Sequence, residues 1–124
     1  MDKPLRILLV EDHLDTLRLM IRVLEAFKHD VKTADSVHSA LELAGANDFD
    51  LVISDVGLPD GSGVQLMKEL NERYGLKGIA LTGFEQKAAE DASAGFVAHL
   101  TKPISLDRLH DAIVRAAENP DTEG

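Results

Sequence analysis

Leu51-Val52-Ile53-Ser54-Asp55-Val56-Gly57-Leu58-Pro59-Asp60-Gly61-Ser62-Gly63 is the stretch on which the reading of this chain turns. The apolar run Leu51 to Ser54, with β-branched residues at its centre, gives way to turn chemistry, as a buried strand does when it leaves a sheet. Asp55 therefore stands at the carboxyl end of a strand, the edge where open α/β sheets place their ligand sites. Gly57, Pro59, Gly61 and Gly63 allow a tight loop that brings main-chain carbonyls close to whatever Asp55 holds.

Outward from this strand the chain alternates strands with helices. Upstream, Leu5–Val10 contains the apolar run Ile7-Leu8-Leu9-Val10 and ends in Glu11-Asp12. Leu17, Met20, Ile21, Leu24 and Phe27 then recur at helical spacing and predict a first helix from Leu14 to Phe27, with acids from Asp12 to Asp15 near its positive end. A second strand is expected over Val31–Ala34. Ser36 is the expected N-cap of a second helix that turns Val37, Ala40, Leu41 and Ala44 to one face and stops at Gly45. Downstream, a third helix is expected over Gly63–Tyr74, with Val64, Met67, Leu70 and Tyr74 inward and Gly75 as its stop. A fourth strand, Gly78–Thr82, precedes a fourth helix over Glu85–Ala94 that offers only small apolar groups. A fifth strand, Phe96–Leu100, runs into Thr101-Lys102-Pro103. A fifth helix begins after Ser105 as N-cap and carries Leu106, Leu109, Ile113 and Ala116 on one face. The residues 1–117 form one domain, and the polar tail Glu118–Gly124 is expected to be frayed and disordered.

Strict alternation of strand and helix implies an α/β fold, a parallel sheet covered by helices on both sides. The 124 residues suffice for one core, and 44% hydrophobic with 28% charged residues is a globular composition. Aromatics are only 4% and the formal net charge is -9, so base stacking and contact with a phosphate backbone are both disfavoured; no direct nucleic-acid partner is expected. Without cysteine there is no disulfide, thiolate nucleophile or thiolate metal ligand. No apolar stretch approaches membrane-spanning length and Met1-Asp2-Lys3-Pro4-Leu5-Arg6 is no signal peptide, so a cytoplasmic chain without membrane contact is expected.

In a parallel sheet the strand ends share one edge. The first strand delivers Glu11 and Asp12, the third Asp55, the fourth Thr82 and the fifth Lys102. Three carboxylates gathered there repel one another unless a hard divalent cation is present, and carboxylate, carbonyl and water ligation suits Mg²⁺. A lysine adds a point charge and a threonine a hydroxyl donor, which together suit an anion with several oxygens such as a phosphoryl group. A carboxylate can also act as nucleophile toward phosphorus and form an acyl phosphate.

These residues, in this order and spacing, resemble the receiver domain of two-component response regulators. The acid pair, Asp55 with its Gly-Leu-Pro-Asp-Gly-Ser-Gly loop, Thr82 and Lys102-Pro103 match that family's pattern across about Leu5 to Ala117. The resemblance implies a flavodoxin-like (βα)5 doubly wound sheet of order 2-1-3-4-5. It implies that Asp55 accepts a phosphoryl group from a histidine kinase or histidine phosphotransfer protein. It further implies Mg²⁺ held by Asp12, Asp55 and the Gly57 carbonyl, with Glu11 acting through water. Lys102 would pair with the phosphoryl oxygens, and Thr82 would move to bond one of them. The switching face would be helix four, strand five and helix five, passing the signal to a downstream protein; a phosphorylation-dependent dimer is left open. Thr33-Ala34-Asp35-Ser36-Val37 and Ala98-His99-Leu100-Thr101-Lys102-Pro103 look more like receivers attached to hybrid sensor histidine kinases than like those of transcription factors.

Three positions depart from the family pattern. Glu11 replaces the usual first Asp. His99 stands where a Tyr or Phe usually rotates inward with the threonine, and histidine is a residue type whose charge changes near neutrality. Gly83-Phe84 follows Thr82 where a small residue such as Ala is common.

Plainer readings compete with each of these. Asp55 can be a turn former, Glu11 and Asp12 helix-start acids, Lys102 a solvated lysine and Thr82 a strand end. His13 is read as an exposed helix-start residue rather than a ligand. His29, His38 and His110 are read as surface residues, and none of them as a phosphodonor. Two other functions share the fold. An aspartyl-phosphate hydrolase commonly needs an acid two residues after its nucleophile, where this chain has Gly57, so a turnover enzyme is not expected. A nucleotide or flavin module would need a glycine-rich loop after the first strand, where this chain has acids. A degenerate receiver used only for docking is the remaining alternative.

Overall fold

A computed structural model describes residues 4–83 and 95–118. The strands are β1 (Arg6–Val10), β2 (Asp30–Ala34), β3 (Leu51–Asp55), β4 (Gly78–Thr82) and β5 (Phe96–Thr101). The helices are α1 (Leu14–Ala26), α2 (Val37–Ala46), α3 (Gly63–Tyr74) and α4 (Leu106–Glu118), the last being the fifth helix of the sequence reading. The expected helix over Glu85–Ala94 and the tail beyond Glu118 lie outside the described residues. All strand pairs of the main sheet are parallel and its order is β2-β1-β3-β4-β5.

The sheet separates two apolar layers because successive residues of a strand face opposite sides. Leu8, Val10 and Val52 meet Ala40, Ala44, Leu66, Met67 and Leu70 beneath α2 and α3. Ile7, Leu9, Leu51 and Ile53 meet Met20, Leu24, Leu109 and Ile113 beneath α1 and α4. Strands covered on both faces need continuous apolar runs, as β1, β3 and β4 have, whereas β2 is largely exposed at the sheet's edge and lacks one.

Several boundaries and faces differ from expectation. Gly45 does not stop α2; the helix continues to Ala46 and Asn47 caps it in extended conformation. Nothing in its packing requires the helix to end at Gly45, above which lies the Tyr74 hydroxyl. Tyr74 is 42% exposed rather than inward, and Leu66 takes the buried place. Leu106 is 49% exposed because it opens α4 at the rim of the layer; Ala112 completes the buried face instead. His29 is buried, not at the surface: its Nδ1 accepts a hydrogen bond from the Leu5 backbone N–H at 3.0 Å. His110 is half-buried, its ring 4.6 Å from that of Phe27. Among the described residues no helix is long and apolar enough to cross a membrane.

Candidate functional site

The backbone carries strand pairing slightly past the sheet's carboxyl edge, and that extension builds the site. Glu11 N–H bonds to the Ala34 carbonyl (3.0 Å), and Lys102 N–H bonds to the Thr82 carbonyl (2.8 Å). Glu11 is thereby fully buried, as is nearly all of Asp55 at the end of β3. The Lys102 ammonium sits between them, its Nζ 3.1 Å from Asp55 Oδ2 and 3.1 Å from Glu11 Oε1. The Glu11 Oε1 contact is an ion pair off the hydrogen-bonding direction. Nζ donates at 3.4 Å to Oε2 instead, which leaves Oε1 buried without a hydrogen bond.

Asp12 is exposed beside this pair, and His13 opens α1. The His13 backbone N–H donates to Glu11 Oε2 (3.0 Å), and its ring Nδ1 lies 2.9 Å from the same oxygen and 3.5 Å from Asp12 Oδ1. His13 is exposed, as expected, but it also belongs to the acid group, which sequence reasoning missed.

The loop after β3 is folded against Asp55. The Ser54 hydroxyl donates to the Asp55 carbonyl (2.9 Å), and Gly57–Leu58 pairs with Gly61–Ser62 as a small antiparallel ladder. A Cβ built at Gly63 would overlap the Asp55 carbonyl oxygen, so only glycine allows α3 to start this close to the site. Ser62 caps that helix, its Oγ accepting from Val64 N–H at 3.1 Å. Asp60, at the turn of the ladder, accepts from Val37 N–H (2.7 Å) and His38 N–H (3.1 Å). It ties the loop to the unsatisfied donors at the start of α2. Its partner lies 23 residues away, beyond the reach of any local pattern.

Charges explain how the groups tune one another. Burial, then the nearby Glu11 charge, pushes the Asp55 carboxyl above its ordinary value, outweighing the pull of Lys102. Burial disfavours the Lys102 ammonium, but its bonds to Glu11 and Asp55 overcome this and hold its pKa above the usual lysine value. The hydrogen bond to Glu11, with the charge of Asp12, raises the His13 pKa. The backbone N–H groups of Val37 and His38 hold Asp60 below the usual carboxylate range.

This donor set fits a hard divalent cation. Three carboxylates against one ammonium leave two negative charges, the charge such an ion cancels. One ligand atom from each of Glu11, Asp12, His13 and Asp55 lies within 4.8 Å of the others. The buried Glu11 Oε1 still has no hydrogen-bond donor. Gly57, whose carbonyl is the remaining expected ligand, opens the small ladder and is exposed. Thr82 is buried, its hydroxyl donating to the Leu100 carbonyl at 3.4 Å. His99 is exposed, its ring 6.3 Å from that of Phe96. His99 instead lines a groove of about 620 Å³ with Arg108, Asp111 and Arg115 of α4, and none of Glu11, Asp12 and Asp55 lines it.

Residues 7–114 match the family described as the response regulator receiver domain. This chain belongs to that family. It is 34% identical to response regulator protein PilR of Pseudomonas aeruginosa over 121 residues, which cover 94% of this chain and 27% of PilR. It is 35% identical to virulence sensor protein BvgS of Bordetella pertussis over 127 residues, covering 91% of this chain and 10% of BvgS. It is 31% identical to signal transduction histidine-protein kinase BarA of Escherichia coli over 114 residues, covering 88% and 12% respectively. The receiver thus spans at most about a quarter of these relatives. A CheY-like response regulator receiver domain protein from Methanospirillum hungatei superimposes with a TM-score of 0.87 at 27% identity, covering 98% of this chain and 100% of that one. The signal receiver domain of an HD domain-containing protein from Pseudomonas fluorescens also gives 0.87 at 27% identity, covering 94% and 97%.

Proposed function

We propose that this receiver accepts a phosphoryl group on Asp55 from a phosphohistidine of a histidine kinase or histidine phosphotransfer protein. The observation that carries this reading is the Asp55–Lys102–Glu11 arrangement, with Lys102 Nζ 3.1 Å from a carboxylate oxygen of each acid. An Asp55 oxygen attacks phosphorus in line with the phosphorus–nitrogen bond. A phosphorus–oxygen bond forms, the imidazole leaves with its electron pair, and an acyl phosphate remains.

Asp12, Asp55 and the Gly57 carbonyl would hold Mg²⁺, with Glu11 acting through water. The ion would supply charge neutralisation on the transferred group. Lys102 stays beside the new phosphoryl oxygens, and Thr82 turns from the Leu100 carbonyl to donate to one of them. His99, at the surface of β5, moves with it and carries the change to the face made by β5 and α4. A phosphoryl group brings roughly −1.5 to −2 charge, enough to bias a two-state loop. Gly57 has no side chain to serve as general acid or base, so turnover as a hydrolase is not favoured. The matches to a response regulator and a histidine-protein kinase support a signalling module; we take it to work in the cytoplasm, either alone or within a larger protein. A downstream protein, or a second copy after phosphorylation, would read the switched face.

Intact-protein mass after incubation with Mg²⁺ and a small acyl-phosphate donor tests the reading. Gain of one phosphoryl mass is expected, absent without metal and absent in Asp55→Asn. No gain in folded, metal-bound protein makes the chain a docking module. Donor consumed many times over per protein makes it a hydrolase.

A further inference from the structure

We propose that His13 Nδ1 is a ligand of the cation site, so that this receiver binds nitrogen-tolerant divalent ions such as Co²⁺ far more tightly than an all-oxygen site does. The inference rests on the metal site proposed above and extends it to an imidazole. Backbone geometry fixes the residue in place: the His13 N–H is bonded to Glu11 Oε2, so the ring is carried on a main chain already tied to the acid pair. Its Nδ1 stands 2.9 Å from that oxygen. That distance is a hydrogen bond, so coordination would exchange it for a bond from the neutral ring to the ion, with Glu11 still acting through water. The second carboxylate, Asp12 Oδ1, is 3.5 Å from the same nitrogen, and Asp55 completes a set whose ligand atoms all lie within 4.8 Å.

The chemistry of the donors decides the preference. Mg²⁺ dehydrates reluctantly and favours oxygen, so it gains little from an imidazole. Along the first transition row, affinity for a mixed nitrogen and oxygen set rises from Mn²⁺ toward Cu²⁺, and imidazole suits Ni²⁺, Cu²⁺ and Zn²⁺. The side chain of His13 caps no backbone donor of α1 and is 69% exposed, so its replacement leaves the fold intact.

Calorimetric titration of the full chain with MgCl₂ and with CoCl₂ tests the proposal, using the wild type, His13→Ala and Asp12→Asn. His13→Ala is expected to weaken Co²⁺ binding by on the order of tenfold or more, while Mg²⁺ binding changes far less. With Cu²⁺ as probe, electron paramagnetic resonance should show splitting from one coordinated nitrogen in the wild type and none in His13→Ala. An unchanged Co²⁺ to Mg²⁺ affinity ratio in His13→Ala overturns the nitrogen ligand while leaving the oxygen site standing. Mg²⁺ binding that is indifferent to Asp12→Asn overturns the site itself.

Discussion

Lys102 Nζ lies 3.1 Å from Asp55 Oδ2 although 47 residues separate them in the chain. The same ammonium contacts the wholly buried Glu11, so a single cation holds two acids together at the sheet edge. Lys102→Ala leaves both carboxylates facing each other. In the absence of metal this should cost about 2–3 kcal/mol of stability, because buried charge is left without its partner. Mg²⁺ binding should survive, since no ligand is lost, while the phosphorylation-induced shifts of Thr82 and β5 amides should fail. NMR spectra of the phosphorylated variant check this; intact shifts would count against a role for Lys102 in switching.

Asp55→Asn is expected to be at least as stable as the wild type at neutral pH without metal. The folded pKa of Asp55 is raised, by burial first and Glu11 second, so its ionised form is the disfavoured one. The sign follows from linkage. Its contribution to stability is fully present below the unfolded carboxylate value near ~4 and is lost as pH rises through the higher folded value. The melting-temperature gap between Asp55→Asn and wild type should therefore shrink on acidification. A variant less stable than wild type at neutral pH would mean that the Lys102 attraction outweighs burial.

Gly63→Ala should destabilise the fold by about 1–3 kcal/mol, the usual cost of overpacking. The added methyl must displace the Asp55 carbonyl, so phosphoryl uptake should slow as well. Urea unfolding and the rate of mass gain measure the two effects. Loss of stability with unchanged uptake would separate the helix start from the site.

Asp60 should titrate below the ordinary carboxylate range, because it accepts from Val37 and His38 N–H. Here the sign is opposite to that of Asp55. The stabilisation is present above the unfolded carboxylate pKa and is lost as pH falls through the lower folded value. Asp60→Ala should lower the melting temperature at neutral pH, lose that difference in strong acid, and broaden amide signals at the start of α2. Carboxyl carbon NMR follows the titration; an ordinary Asp60 pKa would show that the cap is not held in solution.

Sequence alone determined the alternation of strands and helices, a parallel sheet covered on both faces and the five positions that reach its carboxyl edge. It could do so because apolar period, capping residues and strand ends are local properties: Gly75, at φ 70, stops α3 where a residue without Cβ is needed. Tertiary structure decided which groups meet. Periodicity gave Tyr74 and Leu106 an inward face, but each sits at a helix end where the opposing layer has run out, and both are exposed. His29 reads as polar in sequence, yet it is buried as the acceptor for Leu5 N–H, a partner 24 residues away. Glu11 and Lys102 could be placed at one edge from the sequence. That the ammonium lies between two buried acids, and the imidazole against one of them, depends on distances set by parallel pairing between remote segments, which no local pattern encodes.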